Sequence, residues 1–252
     1  MKLENKVCIV TGASSGIGRE IALAFAKEGA KVFVGARRLD KLEELVEKAK
    51  DLAGEIYAVA LDVSKQEDID NIVDKTIEKY GKVDVLVNNA GILDSYKSPV
   101  SITDEIWDKM FEVNVDSVMR ATRKVLPLMR EQKSGVILNT ASVGGLRGMR
   151  GGLAYVATKH AVVGMTKHIG YAYAQEGIRC VAVAPGSVET DIGKQVKDPD
   201  METLDILMTG FKNFPLSTSA EKLAKVYVFL ASDDASFING TTITVDGGWT
   251  AF

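Results

Sequence analysis

The stretch "KVCIVTGASSGIG", residues 6–18, decides the fold. Its first part, "KVCIVTG" (6–12), is a short β-branched run that ends in glycine, which predicts a strand followed by a tight turn. The next part, "GIGREIALAFAKEG" (16–29), places apolar residues at helical spacing, and Gly29 is expected to end the helix. The chain therefore begins with a strand, a glycine-rich turn and a helix.

The same alternation continues along the chain. Further strands are predicted at 31–36, 55–63, 83–91, 135–142, 178–186 and 241–248, and further helices at 39–54, 67–81, about 103–131, about 153–175 and 219–232. Several strands are almost continuously apolar, which is typical of strands buried on both faces. We therefore predict the α/β class: a doubly wound parallel sheet of seven strands, with ligands bound at the carboxyl ends of the strands.

Composition narrows the class of protein. The 252 residues are 46% hydrophobic and 26% charged, with a net charge of −3 and no linker or repeat, so we expect one domain over residues 1–252. No basic stripe favours nucleic acid, and no apolar run approaches the ~20 residues of a membrane span. Cys8 and Cys180 lie in apolar runs without metal-ligand spacing, which indicates buried free thiols and no metal site. Without an export signal, we expect a cytoplasmic protein.

The glycine turn has a chemical interpretation. Gly12, Gly16 and Gly18 remove Cβ atoms where the backbone would approach a pyrophosphate, and the helix N-terminus offers free N–H groups. The spacing is G-x-x-x-G-x-G rather than the commoner G-x-G-x-x-G. A simple tight turn is the alternative.

The end of the second strand predicts which dinucleotide binds. An acidic residue there would bind the adenosine ribose hydroxyls, but "GARR" places Ala36, Arg37 and Arg38 at this point. Guanidinium groups suit a 2′-phosphate, so the sequence favours NADP(H) over NAD; a solvated start of the next helix is the alternative. Asp62, at the end of the third strand, is a candidate to contact the adenine.

These motifs together resemble the short-chain dehydrogenase/reductase family from end to end. The matching motifs are "TGASSGIG" (11–18), "LDV" (61–63), "NNAG" (88–91), Asn114 in "FEVNVDS", Ser142, Tyr155 and Lys159 in Y-x-x-x-K, "PGSVET" (185–190) and "VDGGW" (245–249). The resemblance implies a Rossmann-type fold, a nicotinamide cofactor, and hydride transfer between a ketone and a secondary alcohol.

The resemblance also implies a role for each matching residue. Tyr155 would be the general acid/base, Lys159 its activator and ribose anchor, Ser142 the partner of the carbonyl oxygen, and Asn114 the holder of a water in a proton relay. Asn88 is expected to be structural. The expected cofactor-binding residues are Gly12, Ser14, Ser15, Gly16, Ile17, Gly18, Arg37, Arg38, Asp62, Val63, Asn89, Ala90, Gly91, Tyr155, Lys159, Pro185, Gly186, Val188 and Thr190.

Physical chemistry supports the same assignment. A helix places Tyr155 and Lys159 on one face, although a packed ring and a covering lysine stem would have the same spacing. A free phenol has a pKa of about 10, and an adjacent ammonium is expected to lower it. Ser142 ends a strand and is placed to orient the same oxygen. His160 and His168 are interpreted as surface or packing residues.

Substrate preference is expected to lie in a lid at about 187–215. Its apolar residues are Met201, Leu204, Leu207, Met208 and Phe211, which favours an apolar substrate; a helix that only packs on the body or another subunit is the alternative. The segment 142–154 would form another wall. Its apolar residues are Leu146, Met149 and Leu153, and its Arg147 and Arg150 are candidates to bind a carboxylate.

Three partners or functions are weighed. The first is a small ketone or secondary alcohol. The second is a 3-oxoacyl-(acyl-carrier-protein) reductase, whose acidic carrier would need a basic face such as Arg120, Arg123, Lys124 and Arg130. The third is a non-catalytic NADP-binding sensor, which the intact Tyr155 and Lys159 disfavour. The resemblance and the terminal aromatics Trp249 and Phe252 also predict a homotetramer.

Overall fold

A parallel seven-stranded sheet forms the centre of the molecule. The computed structural model describes residues 1–211 and 217–251, with only the backbone at 210 and 211. The strands of this sheet are β1 Val7–Thr11, β2 Lys31–Ala36, β3 Glu55–Ala60, β4 Val85–Asn88, β5 Gly135–Thr140, β6 Ile178–Pro185 and β9 Thr241–Val245. They lie in the order β3-β2-β1-β4-β5-β6-β9, so the predicted fold class is confirmed.

Helices cover both faces of the sheet. They are α1 Gly16–Lys27, α2 Leu39–Ala49, α3 Gln66–Tyr80, α4 Asp104–Phe111, α5 Ser117–Gln132, α6 Leu153–Ala172, α7 Met201–Phe211 and α8 Ala220–Ala231. On one face, Phe25 of α1 and Tyr227 of α8 are fully buried against β1 and its neighbours. On the other, Ile72 of α3 and Met129 of α5 belong to the same buried cluster as Ile9 of β1. Burial on both sides explains why the strands read as apolar runs.

The order of the strands reverses between β1 and β4. The chain leaves β1 through the glycine turn and leaves β4 through the "NNAG" loop, and both turns lie at the carboxyl edge of the sheet. In doubly wound sheets a ligand crevice opens at such a switch point. The predicted cofactor motifs therefore meet at one place in the fold.

The long helix predicted at about 103–131 is interrupted. A π-helical turn, Glu112–Asp116, separates α4 from α5 and has buried Asn114 at its centre. The Ser117 hydroxyl donates to the carbonyl oxygen of Val113 at 2.6 Å inside this wider turn. Such turns are frequent at functional sites. Periodicity did not reveal the interruption because it does not break the apolar pattern.

The predicted lid has more structure than its sequence suggested. Two short strands, β7 Val188–Glu189 and β8 Thr218–Ser219, pair in parallel at its base, and α7 lies between them. Leu207 is buried, whereas Met201 and Met208 are 59% and 52% exposed, so the predicted apolar set does not form one buried face. The side chain of Phe211 and residues 212–215 lie outside the described residues.

Other sequence expectations have mixed outcomes. Cys8 and Cys180 are buried free thiols, as predicted, and burial raises the pKa of both, that of Cys180 to about 12. Trp249 is only 5% exposed within a single chain, so it needs no second subunit to be buried and does not support the predicted homotetramer. Phe252 lies outside the described residues. In the described part of the chain, no helix combines the length and the apolarity needed to cross a membrane.

Candidate active site

A cleft of about 1040 Å³ runs along the carboxyl edge of the sheet, from the glycine turn to Tyr155. Of the residues predicted to bind cofactor or to act in catalysis, all line this cleft except Gly18 and Asn114. The cleft is also lined by residues that were not predicted to bind cofactor or to act in catalysis. These are Ala36, Leu61, Ile92, Lys109, Val113, Thr140, Ala141, Asp191, Ile192, Lys194, Gln195 and Lys197.

Glycine is required at two positions of the turn by close packing. A Cβ atom on Gly12 would lie 2.7 Å from the Cα of Ala90, and Gly12 has a φ of +69°. A Cβ atom on Gly18 would lie 2.5 Å from the Asn89 amide nitrogen, Nδ2. Gly18 therefore packs the turn against the "NNAG" loop behind the cleft, and the lack of side chains leaves backbone exposed towards it.

The "NNAG" loop is held by side chains of the neighbouring strands. The Thr11 hydroxyl accepts the backbone N–H groups of Asn89 and Ala90 at 3.0 and 3.1 Å, and the Asn89 amide donates to the carbonyl oxygen of Thr11 at 3.1 Å. The Asn88 amide donates to buried Asn139 at 2.9 Å, which supports a structural role for Asn88. Both asparagines thus fix the backbone that faces the cleft.

The two arginines after β2 lie at the same end of the cleft but have different neighbours. One nitrogen of Arg38, Nη2, donates to the hydroxyls of Ser14 and Ser15, each at 2.9 Å. Burial raises the pKa of Asp62, but hydrogen bonds from Ser64 and the nearby charge of Arg37 lower it overall. A guanidinium and two hydroxyls therefore converge beside the glycine turn, with a carboxylate close by.

Tyr155, Lys159 and Ser142 converge at the other end. Lys159 lies one helical turn after Tyr155, with its ammonium nitrogen 5.7 Å from the centre of the phenol ring. That ammonium donates to the carbonyl oxygen of Thr140 at 2.8 Å. Ser142, just after β5, hydrogen-bonds the Tyr155 phenol and also accepts the Gly144 N–H at 3.0 Å. The predicted pairing is thus present and has a third member.

Burial governs the electrostatics of this group. It lowers the pKa of Lys159 to about 8, because the ammonium loses contact with water. It also raises the pKa of Tyr155; the hydrogen bond with Ser142 acts in the opposite sense, and the charge of Asp94 raises it further. The expected lowering by Lys159 is therefore not the net effect. The raised pKa keeps the Tyr155 phenol in its protonated form at neutral pH.

Asn114 lies directly behind the cleft. Its amide oxygen accepts the Ile92 N–H at 2.9 Å, and its amide nitrogen donates to the Ile92 carbonyl at 3.1 Å and to the Thr158 hydroxyl at 3.2 Å. Asn114 therefore connects the π-helical turn, the loop after β4 and helix α6. This arrangement explains its burial, while a role in a proton relay stays a prediction.

The loop after β4 is tied to the start of the lid. The Ser95 hydroxyl accepts the Lys197 N–H at 3.0 Å, and the Lys97 ammonium donates to the Asp198 carbonyl at 2.7 Å. Asp200 caps α7 by accepting the Thr203 N–H at 3.0 Å, and the Ser101 hydroxyl donates to the same carboxylate. These contacts place the lid helix beside the outer end of the cleft.

Arg147 and Arg150, the candidate carboxylate ligands, are turned to the C-terminal segment. The Arg150 guanidinium lies 4.5 Å from the centre of the Trp249 ring, and Arg147 donates to the Thr250 carbonyl at 3.4 Å. Neither arginine lines the cleft. His160 and His168 lie exposed on α6, as predicted.

Three residues of the site escaped sequence analysis. The Thr11 hydroxyl accepts the Asn89 N–H, and the Thr140 carbonyl accepts a hydrogen bond from the Lys159 ammonium. Asp94 accepts the backbone N–H of Tyr155 at 3.0 Å. Each follows or ends a strand at the carboxyl edge of the sheet. This position was the available signal, but their roles depend on contacts between distant segments.

Comparisons with known proteins agree with this geometry. Residues 12–250 match a family described as enoyl-(acyl carrier protein) reductase. A 3β-hydroxysteroid dehydrogenase 2 of Eggerthella lenta is 38% identical over 251 residues, which cover 99% of this chain and 96% of that protein. A 3-oxoacyl-(acyl-carrier-protein) reductase of Thermotoga maritima is 40% identical over 250 residues, covering 98% and 99%.

A solved structure is similar over almost the whole chain. The crystal structure of levodione reductase has a TM-score of 0.88 and 36% identity, covering 99% of each chain. With a family match and relatives above 30% identity along nearly the entire length, the chain belongs to the short-chain dehydrogenase/reductase family, whose oxidoreductases act on CH–OH groups with nicotinamide cofactors.

Proposed function

We propose that this protein is an NADP(H)-dependent oxidoreductase that interconverts a small apolar ketone and its secondary alcohol. The observation that carries the proposal is the convergence of Tyr155, Lys159 and Ser142 at one end of the cleft whose other end is the glycine turn. A proton donor and a dinucleotide cradle in one cleft are what this reaction requires.

The residues present fit a nicotinamide dinucleotide. Added Cβ atoms on the glycine turn would collide with the "NNAG" loop, so the turn keeps exposed backbone at the N-terminus of α1, where a pyrophosphate is favoured. Arg37, with Arg38, Ser14 and Ser15 beside it, would hold a 2′-phosphate. When bound, the nicotinamide supplies or accepts the hydride.

The chain's own residues carry the proton. In reduction, the Tyr155 hydroxyl donates its proton to the carbonyl oxygen as that oxygen gains negative charge, and the Ser142 hydroxyl donates a hydrogen bond to the same oxygen. The Lys159 ammonium stabilises the phenolate that remains until water reprotonates it. In oxidation, the phenolate accepts the alcohol proton.

The surface of α5 gives little support to the alternative, a 3-oxoacyl-(acyl-carrier-protein) reductase. The four cations that would face an acidic carrier already have partners in this chain. Arg120 donates to the Ser64 carbonyl, Arg123 to the Gln66 side chain, Lys124 pairs with Asp74 and Arg130 with Glu176. Asp116, Asp74 and Glu176 pair with Arg120, Lys124 and Arg130, so much of the positive charge of this face is offset within the chain. The similarity to the Thermotoga maritima reductase keeps a 3-oxoacyl thioester in the substrate panel.

Turnover by wild type and Tyr155→Phe tests the proposal. NADPH consumption is measured with a panel containing a 3-keto steroid, levodione and a 3-oxoacyl thioester. Wild type should turn over at least one ketone, and Tyr155→Phe should lose roughly 10²–10⁴-fold in kcat because the proton donor is missing. NADPH binding should survive, since the ring remains. Equal turnover by the two proteins would remove Tyr155 from its role, and NADPH binding without turnover on any ketone would favour the sensor.

A further inference from the structure

The start of the catalytic helix α6 is capped by a residue from another segment. Gly152 occupies the N-cap position and has no side chain to accept an N–H group. Asp94, in the loop after β4, fills that place: its carboxylate accepts the Tyr155 N–H at 3.0 Å. A Cβ atom on Gly152 would lie 2.3 Å from a carboxylate oxygen of Asp94, so the glycine makes room for the cap.

The loop that carries Asp94 is held in an unusual conformation. Ser95 and Tyr96 have φ values of 53° and 59°, in the left-handed region that residues other than glycine rarely adopt. The Lys97 N–H donates to the Asp94 carbonyl at 3.2 Å, and the Leu153 N–H donates to the Lys97 carbonyl at 2.8 Å. Strained backbone persists where its surroundings fix it, so the position of Asp94 against α6 is set from both sides.

The carboxylate is buried without a cationic partner. Asp94 is 3% exposed, and within residues 1–211 and 217–251 no lysine or arginine forms an ion pair with it. Burial raises the pKa of the Asp94 carboxyl overall, while the backbone N–H groups around it, Tyr155 at 3.0 Å among them, act in the opposite sense and favour the charged form. The carboxylate thus occupies the positive end of α6, which would otherwise stabilise a Tyr155 phenolate.

Four groups act on the Tyr155 phenol. Lys159, on the same helix, favours the phenolate, and so does the hydrogen bond with Ser142 after β5. Asp94 and Tyr96, from the loop after β4, disfavour it, because a second negative charge in a buried site is repelled. Asp94 is the only one of these four that is a carboxylate.

We propose that Asp94 is a positioning residue that fixes the start of the catalytic helix and whose negative charge keeps the Tyr155 phenol protonated, so that alcohol oxidation needs a higher pH than ketone reduction. The inference rests on the proposed function only in the role given to Tyr155. It assigns to Asp94 two effects, a capping effect on the start of α6 and a charge effect on the proton, and a neutral substitution that keeps a capping oxygen removes only the second.

A titration of the phenol tests the charge effect without turnover. Phenolate absorbance is followed against pH in wild type, in Asp94→Asn and in Asp94→Ser. The absorbance of the same protein with Tyr155→Phe added is subtracted from each, which isolates the signal of Tyr155. Asn and Ser both keep a capping oxygen but remove the charge. Both titrations should move to lower pH than wild type. Asp84→Asn is the matched control, because Asp84 accepts the Val7 N–H at 2.7 Å at the opposite edge of the sheet.

The pH profile of alcohol oxidation provides the second readout. On the acid side of the profile, kcat/KM of both neutral variants should rise roughly three- to tenfold over wild type, as expected from the removal of one partly screened charge. Folded variants whose Tyr155 titration is unmoved would overturn the inference, whatever the outcome of the ketone panel. Activity lost in the panel with a shifted titration would instead count against the proposed function alone.

Discussion

At the scale of single residues, burial of the Lys159 ammonium destabilises the folded state, and its proposed role beside Tyr155 explains why a lysine is present. Its ammonium is buried, donates one hydrogen bond to Thr140 and has its pKa lowered to about 8. A charged group that is removed from water destabilises the folded state unless it is paired. If Tyr155 and Lys159 only packed against each other, an apolar residue at position 159 would be more stable than lysine.

Stability should therefore depend on pH through Lys159. The folded state releases this proton near pH 8, whereas the unfolded chain holds it to about 10.5, so between these values the unfolded state binds more protons and stability rises with pH. Relative to Lys159→Met, wild type should gain up to roughly 1 kcal/mol in free energy of unfolding per pH unit across this window. Urea unfolding at several pH values measures this gain in the free energy of unfolding.

The control is Lys167→Met on the exposed surface of α6, which should retain the wild-type pH dependence of stability. If the stability of Lys159→Met has the same pH dependence as that of wild type, burial of the Lys159 ammonium does not destabilise the folded state.

At the scale of elements, the positions of the strands were predictable, whereas several of their carboxyl ends and the interruption of the long helix were not: the predicted strands 55–63, 83–91 and 241–248 end three residues beyond the observed ones. "KVFVGA" (31–36) coincides with β2 because apolar runs bounded by polar or glycine residues define buried strands. The break at Glu112–Asp116 depends on the bonds between Asn114 and Ile92, which come from a distant loop. The pairing of β7 with β8 involves two residues on each side, too few for a pattern. Asp94 was missed for the same reason, since its partner lies 61 residues away.

The end of β2 and the glycine turn together should set the cofactor. We expect Ala36→Asp with Arg37→Leu to reverse a wild-type preference for NADPH, because the new carboxylate repels the 2′-phosphate and one guanidinium is lost. Loss of one charged hydrogen bond, about 1.5–3 kcal/mol, would weaken NADPH by roughly 10- to 150-fold. Arg38→Ala should also weaken NADPH, since Arg38 joins Ser14 and Ser15.

The measurement is kcat/KM for both cofactors in wild type and in each variant. NADH, which lacks the phosphate, should change far less than NADPH in every case. A wild type that already favours NADH, or a ratio that the double variant leaves unmoved, would reduce the two arginines to a solvated helix start.

At the scale of the whole molecule, the assembly stays a prediction. Trp249 no longer supports it, since this ring is buried within one chain, but Tyr171 on α6 and Phe237 after α8 are 89% exposed and fully exposed. We expect subunit contacts to cover these two rings. We expect light scattering to give about four times the chain mass of 27.2 kDa. A species of the single-chain mass would refute the homotetramer.

At the scale of the whole reaction, isotope labelling of the hydride tests hydride transfer most directly. NADPH carrying deuterium at both hydrogens of the reactive carbon of the nicotinamide is incubated with the best ketone of the panel, and the alcohol is examined by mass spectrometry and NMR. Hydride transfer predicts one deuterium at the carbinol carbon. A parallel reaction in D₂O with unlabelled NADPH should place deuterium only on the exchangeable hydroxyl. An alcohol without deuterium at the carbinol carbon from labelled NADPH would contradict hydride transfer in this cleft.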